Sequence, residues 1–310
     1  MQNEPNDAVS GEAAATPTSQ TVKVSASSAA TPTNGFRAFV RRRELVIFFV
    51  LSYLIAWSTL PFGSFLAFAP IVSAIVVVAI AEGLPGLARL GRRIIRWRVN
   101  WIWYVAAISV PILVVAVAIG LNMAAGAPPP SFDQFHPWYA VLLVFGLAMV
   151  NPTEGPLGEE PGWRGFAVPR LQSRWSPLAS AALLGLLITG WHLPLVFMPQ
   201  FDLGLPDIAT TVLVTFWYAW LFNRTGGSVL LTLIAHAAES AVNIQGLWPP
   251  GAGTDGAEWS SLIAWTLLVV ALLIFDRKSW RTAPESAIDR VPGPDPDELI
   301  TRRPAAAAER

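Results

Sequence analysis

Three groups of polar side chains interrupt stretches of sequence that are otherwise strongly apolar. The first is residues 158–165, GEEPGWRG, which places Glu159, Glu160 and Arg164 side by side. The second is His192, in the run Trp191-His192-Leu193-Pro194. The third is residues 228–247, where Thr232, His236, Glu239, Ser240 and Asn243 recur at helical spacing and form one polar stripe. An ionisable side chain in hydrocarbon costs at least about 2.5–3.5 kcal/mol, so each group is a candidate for function.

The spacing within the first group separates its two acids. Glu160 and Arg164 are i,i+4 neighbours on one helical face and can form an ion pair. Glu159 is displaced from that face, which leaves it available as a general base. A helix N-terminus favours the carboxylate and burial favours the protonated acid. Each group also has a plainer reading. The double glutamate can be a helix-end salt bridge, His192 a packed core histidine, and the stripe of residues 228–247 hydrogen-bonded glue between helices. Two carboxylates, an arginine, two histidines and an amide gathered in one cavity instead make a hydrolytic site.

Those residues need elements to position them, and composition says which kind. Of 310 residues, 53% are hydrophobic and only 14% charged, far below the roughly one quarter of a soluble domain. Mean hydropathy is +0.48. A soluble enzyme is excluded on these grounds. Basic and acidic residues number 21 each, so no global positive field exists to attract nucleic acid, and no nucleic-acid partner is expected. The chain has no cysteine, which removes thiol nucleophiles and thiolate metal sites.

Eight apolar stretches approach the length of about 17–25 residues that crosses a bilayer. They are 45–60, 63–82, 101–122, 138–152, 177–198, 206–222, 228–247 and 259–275. Basic residues mark alternate connections: Arg37, Arg41, Arg42 and Arg43; Arg89, Arg92, Arg93, Arg96 and Arg98; Arg164, Arg170 and Arg174; Arg224; and Arg277, Lys278 and Arg281. The opposite connections, 61–62, 123–137, 199–205 and 248–258, hold no Lys or Arg. The expected fold class is therefore all-α: a polytopic transmembrane helical bundle of about eight spans with both termini cytoplasmic, multi-pass in the cell membrane.

Residues 1–36 are rich in Ala, Ser, Thr and Pro and read as a disordered tail, and 283–310 as a second one, flanking a membrane domain over 37–282. The basic amphipathic segment 86–101 is expected to lie on the inner leaflet and bind anionic lipid. Pro152, Gly155 and Pro156 break the helix ahead of Glu159, and Pro161 is expected in the first turn of the next one. At 1.5 Å per residue, His192 lies about 22 Å from Pro177, His236 about 12 Å from Ser228 and Glu159 about 17 Å from Arg170. One layer on the cytoplasmic side of the midplane, or near it, accommodates all three.

These motifs resemble the CPBP intramembrane proteases, also called the ABI or type II CAAX prenyl endopeptidase family. Its Glu-Glu-x-x-x-Arg motif is complete in Glu159-Glu160-Pro161-Gly162-Trp163-Arg164. Its Phe-x-x-x-His is matched by Ile188 through His192, with Ile188 where Phe is usual. Its His-x-x-x-Asn begins at His236 but has Ser240 at the fourth position on, with Asn243 a turn later. The resemblance implies an endopeptidase acting on a membrane-embedded or lipid-anchored protein or peptide. Glu159 and His192 would activate water, and His236 with Ser240 or Asn243 would polarise the scissile carbonyl. Arg164 would hold Glu160. It also leaves open a divalent metal such as zinc, with Glu159, His192 and His236 as candidate ligands, beside a purely glutamate-dependent reaction. Two other readings stay in view: an inactive relative acting as a membrane scaffold or immunity protein, and a small proton-coupled transporter.

Overall fold

The computed structural model describes residues 35–201, 203–248 and 254–289. Among them no strand occurs, and helices carry nearly the whole chain. In order these are α1 (Gly35–Arg42), α2 (Glu44–Trp57), α3 (Ala69–Ala81), α4 (Leu84–Ile94), α5 (Ile102–Ala124) and α6 (Tyr139–Val150). Then come α7 (Pro156–Glu160), a π-helical segment (Pro161–Ala167), α8 (Val168–Gln172), α9 (Pro177–His192), α10 (Leu205–Arg224), α11 (Val229–Ala241) and α12 (Thr254–Phe275). Five apolar helical segments, Glu44–Phe62, Ile102–Ala124, Pro177–Phe197, Leu205–Arg224 and Gly256–Phe275, are long enough to cross a bilayer. Three shorter apolar helices, α3, α6 and α11, complete a polytopic helical bundle.

The connections sort to two ends of this bundle. At one end the arginine-bearing links meet. Arg170 pairs with Glu44 at 3.0 Å, with Asp289 at 2.8 Å and with Glu82. Arg93 reaches Asp289 at 2.9 Å, and Arg89 bridges Asp289 and Glu82. Ser228 donates to the carbonyl of Arg96, and Leu178 N–H to that of Trp280. At the other end the links without Lys or Arg meet: Gln134 donates to the carbonyl of Asn243, Gln200 to that of Gly63, and Trp248 to that of Pro128. The alternation read from charge is thus also a spatial division.

Several expected boundaries move. Pro161 does not start a helix. Pro156 does, and α7, the π segment and α8 run on as one rod from 156 to 172. A proline ring inside an α-helix collides with the carbonyl four residues back and offers it no N–H. Widening the turn into a π-bulge relieves this. The fourth traverse therefore extends past residue 152, and Arg164 and Arg170 lie in that rod, both at most 3% exposed, rather than in a connecting loop. Gly35 and Phe36, assigned to the N-terminal tail, open α1, while residues 1–34 lie outside the described residues. Residues 284–289 of the expected C-terminal tail pack on the body, with Ala287 fully buried and Asp289 in the ion network; the tail beyond 289 lies outside the described residues.

Two apolar clusters form the interior. One gathers Phe48 of α2, Val77 of α3, Trp163 and Phe166 of the π segment, and Trp191 of α9. The other gathers Trp217 and Tyr218 of α10, Leu231 and Ala235 of α11, and Trp265 of α12. The rod is pressed against α3 at Gly162, where an added Cβ would come within 2.5–2.6 Å of Pro70, backbone included. Neither backbone can yield, so Gly162→Ala is expected to lower stability by about 1–3 kcal/mol, as overpacked interiors do. Gly91→Ala, inside α4 with nothing within 4 Å of the new Cβ, is the control that should not lower the detergent-solubilised unfolding midpoint, because Ala is the better helix former.

Candidate active site

A cavity of about 440 Å³ lies at the seam between the two clusters. Glu159, Arg164, His192, His236, Ser240 and Asn243 all line it, and Glu160 sits directly beneath, fully buried. Every candidate residue is therefore brought to one place from the rod, α9 and α11.

The rod delivers the acids. Its start is fixed by a turn in which the Asn151 side chain accepts from the Thr153 N–H at 3.1 Å and Gly155 adopts φ +95°, a conformation few other residues tolerate. Glu159 then falls in the first turn and Glu160 one residue on. The carboxylate of Glu159 accepts from Trp163 Nε1 at 3.2 Å. Glu160 Oε1 accepts from Arg164 Nη1 at 2.9 Å and from His236 Nδ1 at 3.0 Å. The separation of the two glutamates by face thus holds, and Glu160 does more than pair with Arg164, because it also fixes the ring of His236.

His192 is the last residue of α9, which stops ahead of Pro194. Its Nδ1 lies 3.0 Å from the carbonyl of Ile188. A carbonyl only accepts, so Nδ1 carries the proton and the neutral ring keeps its lone pair on Nε2. The end of α9 is clamped by α2: Trp57 Nε1 donates to the carbonyl of Trp191, Trp191 Nε1 to that of Ser52, and the Tyr53 hydroxyl to that of Leu187. Phe65, from the α2–α3 connection, stacks on the His192 ring at 6.2 Å between centroids.

On α11, Ser240 Oγ donates to the carbonyl of His236 at 3.0 Å, which occupies its proton within its own helix. The helix ends at Ala241, so Asn243 does not continue the stripe but sits beyond the helix end, exposed at the edge of the cavity. Among the described residues, no group of three or more His, Cys, Asp or Glu side chains is close enough together to hold a metal ion. Glu159, His192 and His236 all face this one cavity.

Sequence reasoning placed a span at 206–222 but missed the part α10 plays in the site. Its residues Asp207, Thr211, Thr215 and Tyr218 all line the cavity. Tyr218 donates its hydroxyl to Glu239, stacks on the His236 ring at 5.4 Å and lies 4.7 Å from the guanidinium carbon of Arg164. The spacing 207, 211, 215, 218 is itself a helical stripe and was the available signal.

Residues 137–242 match the family model described as type II CAAX prenyl endopeptidase, Rce1-like. This central segment is similar to that family. The matched span contains Glu159, Glu160, Arg164, His192, His236 and Ser240, and stops one residue before Asn243. The chain is 31% identical over 88 residues to a CAAX prenyl protease 2 of Methanococcus maripaludis, covering 25% of this chain and 32% of that protein. It is 29% identical over 232 residues to a probable multidrug resistance protein NorM of Caulobacter vibrioides, covering 73% of this chain and 44% of that protein. The chain thus matches less than half the length of either relative.

Proposed function

We propose that the protein is an intramembrane endopeptidase that hydrolyses peptide bonds of membrane-associated proteins or peptides. The observation that carries this reading is the convergence of Glu159, His192 and His236 on one cavity, with Glu160 and Arg164 holding them from behind. Glu159 takes a proton from a water molecule, and His192 Nε2 accepts the water's other hydrogen bond and orients it. As the new C–O bond forms, the carbonyl oxygen gains negative charge. His236, its Nδ1 tied to Glu160, stabilises that oxyanion through Nε2 when the ring carries its second proton. The proton held by Glu159 then passes to the leaving amine as the C–N bond breaks. Ser240 is bonded to its own helix, so the contact with a substrate amide or carbonyl falls to Asn243 at the rim.

A second reading, a transporter, is favoured by the likeness to the NorM protein of Caulobacter vibrioides. A carrier needs a route to both faces. The inner end of the cavity is closed by Thr215, Tyr218 and Arg164, each at most 2% exposed, which favours a dead-end site.

The deciding experiment is cleavage of membrane-anchored peptides in liposomes by the wild type and His192→Ala, with and without chelator. Loss of the orienting imidazole should slow turnover about 100-fold. Equal cleavage by both forms would remove His192 from the reaction. Loss of wild-type activity on chelation, restored by a divalent ion, would convert the glutamate mechanism into a metal-dependent one. Solute uptake or efflux without cleavage would establish the transporter.

A further inference from the structure

A second cavity, of about 550 Å³, lies at the arginine-bearing end and shares no lining residue with the cavity of Glu159 and the two histidines. Its walls are Asn223 and Arg224 at the end of α10 and Lys278, Ser279, Arg281 and Thr282 beyond α12. Three of these six side chains are cations, and among the described residues no carboxylate lines the cavity. Asp276 reaches Arg224 at 3.7 Å, but it also accepts from Trp220 Nε1 and from the Ser279 hydroxyl, each at 2.8 Å. Lys278 and Arg281 are exposed and pair with no acid among the described residues. Other cations at this end are neutralised: Arg89, Arg93 and Arg170 are paired with Glu44, Glu82 and Asp289. Asn223 is 5% exposed, and its side-chain oxygen accepts no hydrogen bond. A buried amide without a protein partner calls for one from a ligand or ordered water. A half-turn about its last bond presents the N–H₂ group to an anion.

Guanidinium and ammonium groups that converge on a concave, acid-free wall suit a phosphate, whose oxygens accept from several donors at once. Arg224 is held for such a contact, its guanidinium carbon 5.4 Å from the ring centroid of Trp103 and 6.0 Å from that of Trp220. The place of the cavity along the helices indicates where the phosphate comes from. The bilayer-length apolar segments Leu205–Arg224 and Gly256–Phe275 both stop at it. Headgroup phosphates lie just outside the hydrocarbon that such segments cross, and tryptophans concentrate at that level. Phe275, the last residue of α12, keeps its ring 86% exposed, as a side chain turned towards acyl chains does. We propose that this cavity binds the phosphate of an anionic phospholipid headgroup. Residues 86–101, where the sequence led us to expect anionic lipid, offer Arg92, Arg96 and Arg98 as an exposed basic surface, whereas residues 223–224 and 278–282 form a pocket. The proposal does not depend on the peptidase reading.

The test titrates the purified full chain, in nonionic detergent at fixed ionic strength, with dioctanoyl-phosphatidylglycerol, dioctanoyl-phosphatidylcholine or inorganic phosphate. Tryptophan fluorescence and the unfolding midpoint are the readouts. Phosphatidylglycerol should bind saturably and raise the midpoint, while the other two at the same concentrations should not. Lys278→Gln/Arg281→Gln should weaken phosphatidylglycerol binding about 30-fold, since each basic group at a membrane surface contributes a factor of about five. Lys278→Arg/Arg281→Lys keeps both charges and should bind as the wild type does. Arg41→Gln/Arg174→Gln removes the same charge from exposed positions outside this cavity and should leave the affinity unchanged. Equal binding of phosphatidylcholine would remove charge recognition and overturn the proposal. Equal losses in the two glutamine pairs would make the attraction diffuse rather than local, and overturn it as well. Stabilisation by inorganic phosphate equal to that by phosphatidylglycerol would assign the cavity to a free anion and refute the lipid as its ligand.

Discussion

Glu159→Gln is expected to reduce peptide cleavage about 1,000-fold while leaving the unfolding midpoint near that of the wild type. A general base in such a reaction contributes about 100- to 10,000-fold, and the amide of glutamine cannot take a proton at working pH. The substitution keeps the volume of the side chain and an oxygen that accepts from Trp163 Nε1, so packing around the 7%-exposed position is conserved. Glu160 makes the informative contrast, because its carboxylate is already committed to Arg164 and His236. Single-turnover cleavage in liposomes, read beside thermal unfolding in detergent, separates the two. Activity retained by Glu159→Gln would remove the base from the proposal.

Arg164→Ala is expected to act on the fold as much as on the chemistry. Glu160 is fully buried, and removal of the guanidinium leaves its charge with only a histidine partner. Stranding one member of a buried pair costs about 3–5 kcal/mol. The stacking of Arg164 on the Tyr218 ring is lost in the same step. The double variant Glu160→Gln/Arg164→Ala should recover part of that cost, because no buried charge remains. Coupling between the two sites of about 0.5–3 kcal/mol would show as a deficit smaller than the sum of the singles. Chemical unfolding of the three variants measures it. Unchanged stability in Arg164→Ala would show that water or another cation reaches Glu160.

What could be read from the sequence were features that repeat or are close in the chain. The Glu-Glu-x-x-x-Arg spacing put Glu160 and Arg164 on one face, and they pair at 2.9 Å. The polar stripe on α11 was visible as far as Ser240, because a helical period needs only the helix to persist; at Asn243 it does not. The charge alternation gave the two ends of the bundle. Features that depend on distant partners were hidden. The α10 stripe passed unnoticed because Thr and Tyr in an apolar helix look like ordinary packing until His236 and Glu239 are set against them. Pro161 was misplaced because a π-bulge can absorb a proline that local rules assign to a helix start. Asp289 was counted with a polar tail because its partners lie 119 and 196 residues earlier in the chain.

That last residue bears on how the protein is made. Arg93 and Arg170 emerge from the ribosome long before Asp289, and both are nearly inaccessible to solvent in the finished bundle. Until the final membrane helix has been inserted and the chain has doubled back, the acid that joins these two cations is missing: Arg170 has only Glu44 and Glu82, and Arg93 lacks the carboxylate it pairs with in the finished bundle. The closing of the first half of the molecule around its central rod is thereby tied to completion of synthesis.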